Sequence, residues 1–413
     1  MKKIIVVFMA ALALTLLASC GDGETTTLVI YSDFGREVVE KELYQSEIFD
    51  AFEEEHNVDI QFETLAQAED TYNKIDTEQQ ADNFTIDLLI SHFGTMADYI
   101  NEGYVQDVND LEDEMSDRTF LSTFDGSTNS GSTRYFFPIN SDVYLAYANK
   151  DAFDTLPSGL TEDDILAGDY TWEDYIDWAA ELGENSVHMK ALPLKMLTYQ
   201  IGGMALSNGG SYPNMNDAGN LKAWQDVIAM KDYIHPESAT TSDSATLMGN
   251  ESVMLSFELM APLATAYAAA PAKYEVFPGP MGTSGMAGSI IGGHGIGIVN
   301  GAPHQEMAEE FIKWFTAPEQ IVDAALGTIP TIEEATTALT DDPEDLVIKK
   351  GLETVKNANV EGLQMISDYT SWSEVKAVYD SVYTGIMDGS ITLANLQSVL
   401  DTKQSDLEAL LVE

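Results

Sequence analysis

The chain has 413 residues, with 69 acidic against 19 basic side chains, a formal net charge of −50 and a single cysteine. So few cations cannot build a basic face that neutralises phosphates, which excludes nucleic-acid binding as the main role. One thiol leaves no disulfide within the chain, so stability must come from a large apolar core.

Lys2 and Lys3 precede an uncharged apolar run, residues 4–17, which ends in Leu17-Ala18-Ser19-Cys20. That is the pattern of a secretory leader. Small residues before the cysteine fit a peptidase pocket, and the Cys20 thiol is the side chain there able to carry a diacylglyceryl group. The alternatives are an ordinary leader with a chance cysteine, or a short anchor, although the run is short for a membrane span. The expectation is a leader over 1–19, a lipidated spacer over 20–27, and a protein held outside the cytoplasmic membrane by Cys20. Residues 259–272 contain Pro262 and Pro271 and are rich in alanine, so they read as a packed helix and not as a span.

Residues 28–31 (Leu-Val-Ile-Tyr) form a short apolar run typical of a buried parallel strand. Val39, Leu43, Ile48, Phe49 and Phe52 recur at helical spacing among carboxylates and predict a helix over 37–55, with Asn57 as a left-handed stop. Val58, Ile60 and Phe62 alternate as a strand does. A second helix and a buried strand over 86–90 complete a βαβαβ unit, the start of a doubly wound α/β lobe.

Residues 96–100 with Gly103 predict a short helix and its stop, 110–116 an acidic surface segment, and 122–132 a loop rich in Ser, Thr, Gly and Asn. A strand over 134–138 leads into 143–148, followed by a mainly helical stretch to about residue 270. Strand character returns at 274–277 and 296–299, and helices dominate 305–314 and 372 onward. There is no internal repeat and no low-complexity block. The alternation of strand-rich and helix-rich regions suggests lobes built from discontinuous segments.

In this order the blocks resemble the extracellular solute-binding proteins of ABC importers, in the large sugar-binding branch that includes maltose-binding protein. Residues 27–62 look like the family's first strand, helix and strand. IDLLISHFGTMADYINEGYVQDV (86–108) resembles its strand, ligand loop and short helix, and FPINSDVYLAYANKDAF (137–153) its hinge block. YTWEDYIDWAAEL (170–182), residues 249–260, residues 277–315 with Gly-Gly-His-Gly, and GTIPT (327–331) follow in the expected sequence. The resemblance implies a two-lobed periplasmic-binding-protein fold of type II. It implies one lobe from 28–138 and 289–329 and the other from 139–288 and 330–413, with crossovers near 138–141, 284–288 and 329–331.

Sugar sites combine aromatic faces with carboxylates and amides that bond hydroxyls. The resemblance places Asp33 and Phe34, with Ser32, in the first ligand loop, where Asp33 is either a contact or a cap. His92 and Phe93, after Ser91, follow the strand ending at Ile90; a lone histidine is otherwise a structural residue. Asp142 matches a hinge carboxylate that reaches ligand hydroxyls or makes a hinge hydrogen bond. Glu258 stands where many relatives carry a Gly-small-Trp pattern; Phe257-Glu258-Leu259-Met260 departs from it, which weakens the case for an extended oligosaccharide platform. Gly293 and His294 lie in a glycine run suited to close backbone approach or to a hinge. Trp372 opens a late helix that Ser371 and Glu374 can start, and is the leading stacking residue. Trp172, behind a Thr171 cap, and Trp224 and Trp314 read as core.

The implied role is a binding protein, not an enzyme: a monomer without cofactor or metal that captures a carbohydrate and delivers it to the transmembrane subunits of an ABC permease. There is no G-x-S-x-G, phosphate loop or H-E-x-x-H. The alternatives are a protein for a cationic solute, such as a polyamine or metal complex, and a surface-anchored glycoside hydrolase, whose carboxylate pair has no positional support. An acidic surface repels itself unless ions screen it, which motivates the hypothesis of a saline habitat. The unfolding midpoint should therefore rise between near-zero and molar salt at fixed pH; an unchanged midpoint would sink that hypothesis.

Overall fold

The computed structural model describes residues 25–35, 38–65, 68–189, 191, 196–240, 244–362, 369 and 371–411; the leader and Cys20 lie outside them. Strand β1 is Thr26–Ser32, with Leu28 and Ile30 wholly buried. The following helix runs from Val38 to His56, its middle turn, Tyr44–Phe49, wound as a π-helix. Asn57 ends it at φ 53°, a conformation that asparagine tolerates better than most residues. Tyr44 is buried, and its hydroxyl donates to Ala324 O at 2.8 Å. Strand β2 (Val58–Thr64), helix Ala68–Ala81 and strand β3 (Leu88–His92) complete the expected unit, with β2 and β3 both parallel to β1.

Strands β4 (Phe137–Asp142) and β5 (Tyr144–Asn149) are separated only by Val143, yet they belong to different sheets. They are followed by β6 (Val187–His188), β7 (Leu255–Leu259), β8 (Tyr274–Phe277), β9 (Gly288–Ile298), β10 (Ile329–Pro330) and β11 (Asn359–Gly362). The larger sheet has the order β2-β1-β3-β9-β4-β10, with β11 parallel to the start of β9. The smaller has the order β8-β5-β7-β6. The chain thus passes between sheets at Val143 and again between Phe277 and Gly288. Helices Val38–His56 and Gln305–Phe315 cover the β1–β2 side of the large sheet through Phe49, Phe52, Phe311 and Phe315. Trp178, Trp224, Tyr379 and Tyr383 form the core beside the small sheet. A third cluster, holding Leu89, Val143, Leu145, Ile291 and Ile329, runs continuously across both sheets.

Three expectations need correction. Residues 122–132 are not an open loop but a 3-10 turn (Ser122–Phe124), a helical turn (Asp125–Thr128) and a small hairpin ending at Arg134. Buried Arg134 fastens it, pairing with Glu112 at 2.7 Å and Asp125 at 3.0 Å. The helical stretch before residue 270 is interrupted by β7, whose short apolar run has no period that separates strand from buried helix. The last long strand begins at Gly288 and not at Ile296, because its glycines resemble turn signals.

Gly288 lies directly against the buried helix Leu197–Ser207. A Cβ there would fall 2.1 Å from Gly203 O and 2.3 Å from Ser207 N, both rigid backbone atoms. Gly288→Ala should therefore cost about 2–3 kcal/mol in denaturant unfolding, as overpacking does. Gly131→Ala, at φ 63° with nothing within 4 Å, should cost only about 1 kcal/mol. Equal costs would mean that the helix–strand contact yields easily.

Candidate functional site

The loop after β1 is held by its own side chains. Ser32 Oγ accepts from Phe34 N at 3.0 Å and donates to Phe34 O at 2.8 Å, and Asp33 N donates to Ile90 O at 3.3 Å. The buried Asp33 carboxylate accepts from His92 N at 3.2 Å and faces Ser91 Oγ at 3.5 Å. This ties the ends of β1 and β3 together, where a parallel sheet presents its ligand loops.

His92 is the N-cap of helix Phe93–Asn101, its Nδ1 accepting from Gly94 N at 3.1 Å. From β9, His294 pairs in register with His92 on one side and Asn140 on the other. Its ring stacks on Phe34 with centroids 4.3 Å apart and meets the His92 ring edge-on at 5.2 Å. His294 Nε2 lies 3.9 Å from Asp33 Oδ1, and its side chain keeps 17% exposure. The structure thus brings Asp33, Phe34, His92 and His294 into one cluster. Gly293 adjoins it at φ 153°, where a Cβ would fall 2.2 Å from Asn140 O.

Trp372 belongs to a second cluster, on the small-sheet lobe. Ser371 caps its helix, accepting from Glu374 N, as the sequence suggests. The indole Nε1 donates to Tyr199 OH at 2.9 Å; Tyr199, Tyr212 and Tyr369 surround the ring, and Lys376 Nζ lies 5.0 Å from the Tyr199 centroid. Tyr144, the buried first residue of β5, has its phenol pushed well up by burial and then by Tyr199, Glu258 and Asp142 nearby.

Two expected contacts belong to the interior. Phe93 is 4% exposed and stacks on Phe124 at 5.5 Å, because it is the first residue of its helix and faces the core. Glu258 is wholly buried, Oε2 lying 3.8 Å from Nδ1 of the equally buried His188. β7 is an interior strand of the small sheet buried on both faces, so Glu258 has no solvent side, and reading that segment as helix concealed this. His188 lines an adjoining cavity of ≈ 10 Å³, room for one water and no solute. Asp142 Oδ1 accepts from Met260 N at 3.0 Å at the start of helix Met260–Ala269, the hinge bond weighed against ligand contact.

Trp172, Trp224 and Trp314 sit in or against the core, and Thr171 forms a full capping box with Asp174. The sequence reading missed Asn140, Tyr199 and Tyr212. Asn140 had a signal: Asn140-Ser141-Asp142 is a polar run inside an otherwise apolar strand. Tyr212, in the loop Asn208-Gly-Gly-Ser-Tyr-Pro-Asn214, and Tyr199, between Thr198 and Gln200, come together only through the tertiary fold.

Over residues 47–349, more than half of the chain, the sequence matches the family described as bacterial extracellular solute-binding protein, and the chain belongs to that family. Its two-lobed fold is shared with the GacH receptor of Streptomyces glaucescens, solved unliganded and with acarbose. That match has a TM-score of 0.72 at 16% identity, covering 94% of this chain and 99% of that one. Maltose-bound MalE3 of T. maritima is similar at 0.71 and 16% identity, covering 93% and 100%. UgpB from Mycobacterium tuberculosis, in complex with glycerophosphocholine, is similar at 0.70 and 14%, covering 93% and 98%. No curated protein matches the chain by sequence.

Proposed function

We propose that the chain is the substrate-binding lipoprotein of an ABC importer, which captures a mono- or oligosaccharide between its lobes and delivers it to a membrane permease. The observation that carries this reading is the Phe34–His294 stack beside the Asp33 carboxylate, an aromatic face and hydroxyl-bonding groups in one place. Trp372 and Tyr199 offer a second aromatic surface on the other lobe. Neighbours solved with acarbose and maltose support the ligand class. The lobes follow the expected division of 28–138 with 289–329 and 139–288 with 330–413, with the first boundary moved to Val143 because β4 (Phe137–Asp142) pairs within the large sheet, to which β10 and β11 also belong. Binding without covalent chemistry is favoured, since Glu258 is sealed in the core and Asp142 bonds backbone.

A second reading, a cationic solute, draws on the same Asp33 carboxylate, which would pair with an ammonium group. The test is a thermal-shift panel of monosaccharides, oligosaccharides and polyamines on the chain with Cys20→Ser. A sugar should raise the unfolding temperature, and Phe34→Ala and Trp372→Ala should each weaken its binding about tenfold, ~1.4 kcal/mol. A response to polyamines without any response to sugars would overturn the sugar assignment.

The tether keeps the binding lobes at high effective concentration near the permease, so modest docking affinity suffices. Metabolic labelling with a palmitate analogue should mark the wild-type chain, and Cys20→Ser should lose the label and leave the membrane fraction. A labelled or membrane-bound Cys20→Ser protein would refute the anchor at that residue.

A further inference from the structure

We infer that Lys376 is a specificity residue of the Trp372 cluster, and that the preferred ligand is an acidic carbohydrate whose carboxylate or phosphate group meets this ammonium. This rests on the reading that Trp372 and Tyr199 face the ligand, and it does not depend on the Phe34–His294 cluster.

The placement follows from the helix. Lys376 stands four residues after Trp372 on helix Trp372–Asp388, so the two share a face, and helical side chains lean toward the preceding turn. Lys376 Nζ accordingly lies over the Tyr199 ring, 5.0 Å from its centroid, and the hydroxyl of the same Tyr199 accepts from Trp372 Nε1 at 2.9 Å. Tyr199, in the first turn of helix Leu197–Ser207, is buried, whereas Trp372 and Lys376 are only half-buried. The ammonium thus belongs to an aromatic cluster, which Tyr212 completes edge-on to the indole.

The surroundings of this cation set it apart. Acidic side chains outnumber basic ones by 69 to 19, and Lys74, Lys150, Lys222, Lys273, Lys313 and Lys403 each pair with a carboxylate. Lys376 makes no such pair, although Asp380 follows at the spacing that permits one. Among the described residues it is the one lysine that combines the lack of a carboxylate with a place on an aromatic face. A ring face attracts an ammonium through its quadrupole but does not neutralise it, and water supplies the rest. When a ligand displaces that water, a neutral hydroxyl accepts one hydrogen bond and leaves the charge uncompensated among aromatic rings, which is costly. A carboxylate or phosphate oxygen brings the hydrogen bond and the opposite charge together, and such bonds are the stronger kind. An ammonium-bearing ligand is disfavoured here by like charge. The net charge of −50 opposes anions at long range, but physiological salt screens repulsion beyond about 8 Å, so contact at Lys376 decides.

The test titrates the full mature chain with Cys20→Ser, at fixed pH and about 0.15 M salt. The probes are glucose, galactose, maltose and lactose, with their acidic counterparts glucuronate, galacturonate, maltobionate and lactobionate; glucose 6-phosphate separates phosphate from carboxylate recognition. An acidic probe should bind about tenfold more tightly than its neutral parent, or better. Lys376→Met keeps an apolar stem over Tyr199 and removes the charge: it should abolish that preference and leave the affinity of the neutral parent within about twofold. Lys376→Arg, which keeps the charge, should retain most of the preference. Equal loss of acidic and neutral binding in Lys376→Met would mean that the side chain only packs, and would overturn the proposal. So would a wild-type protein that binds the neutral parent as tightly as the acid. If the methionine variant does not fold, the wild-type preference and its retention in Lys376→Arg decide. Neutral sugars bound without preference would overturn this inference alone, whereas no response to any probe, acidic or neutral, would overturn the carbohydrate reading with it.

Discussion

The close approach of β9 to its neighbours is the constraint on which the rest of the molecule depends. A Cβ at Gly293 would fall 2.2 Å from Asn140 O, at Gly295 2.9 Å from Phe137 O, and at Gly297 2.8 Å from Tyr135 O. The strand can lie between β3 and β4 at this spacing only because these positions lack side chains. Within that glycine run, His294 is the large polar side chain, and the register sets it opposite both His92 and Asn140. Three segments far apart in sequence are thus brought to one point by backbone pairing. The alignment is set by the ladder, and a slip of one residue would turn His294 to the opposite face.

The many carboxylates divide into groups with different physical roles. Most are solvated; Asp341, at 96% side-chain exposure, is an example. Others complete the backbone hydrogen bonds of the fold. Asp87 is wholly buried yet accepts from Val29 N at 2.9 Å and His304 N at 2.8 Å, so it joins β1 to the segment entering helix Gln305–Phe315. Asp164, Asp174 and Asp217 cap helices or turns in the same way. Asp33 differs in its place, in the loop at the end of a parallel strand with the partly exposed rings of Phe34, His92 and His294 around it. Global charge therefore says little about the site: burial and neighbours determine what a carboxylate does.

Where a pattern is local, the sequence shows it plainly. The βαβαβ start, the Asn57 stop, the Thr171 and Ser371 caps and the core tryptophans all follow from residues within a few positions of one another. Asp33, Phe34, His92 and His294, singled out by residue type and by resemblance, do come together in one cluster. Glu258 and Phe93 were misplaced for a different reason. Their orientation depends on whether β7 is a strand and on which turn begins helix Phe93–Asn101, and a short apolar run does not determine either. Asn140 was missed because its role exists only across a strand pair, with partners 154 positions away.

The passage between the sheets shows how the two clusters can be mechanically related. Val143 is flanked by bonds that fix its neighbours: Ser141 Oγ donates to Gly292 O at 3.1 Å, Tyr144 N to Ser289 Oγ at 2.9 Å, and Met260 N to both Asp142 Oδ1 and Val143 O. Backbone so tied resists bending along its length, so rotation of one lobe against the other must concentrate in few torsions. On the proposed reading, a ligand touching Phe34 on one lobe and Trp372 on the other favours the closed arrangement by its difference in affinity for the two forms, and by nothing else. Glu258 and Phe93, held in the core, contribute to that difference only by keeping each lobe rigid. On the same proposed reading, the difference would come from partly exposed groups such as Phe34, His92, His294 and Trp372.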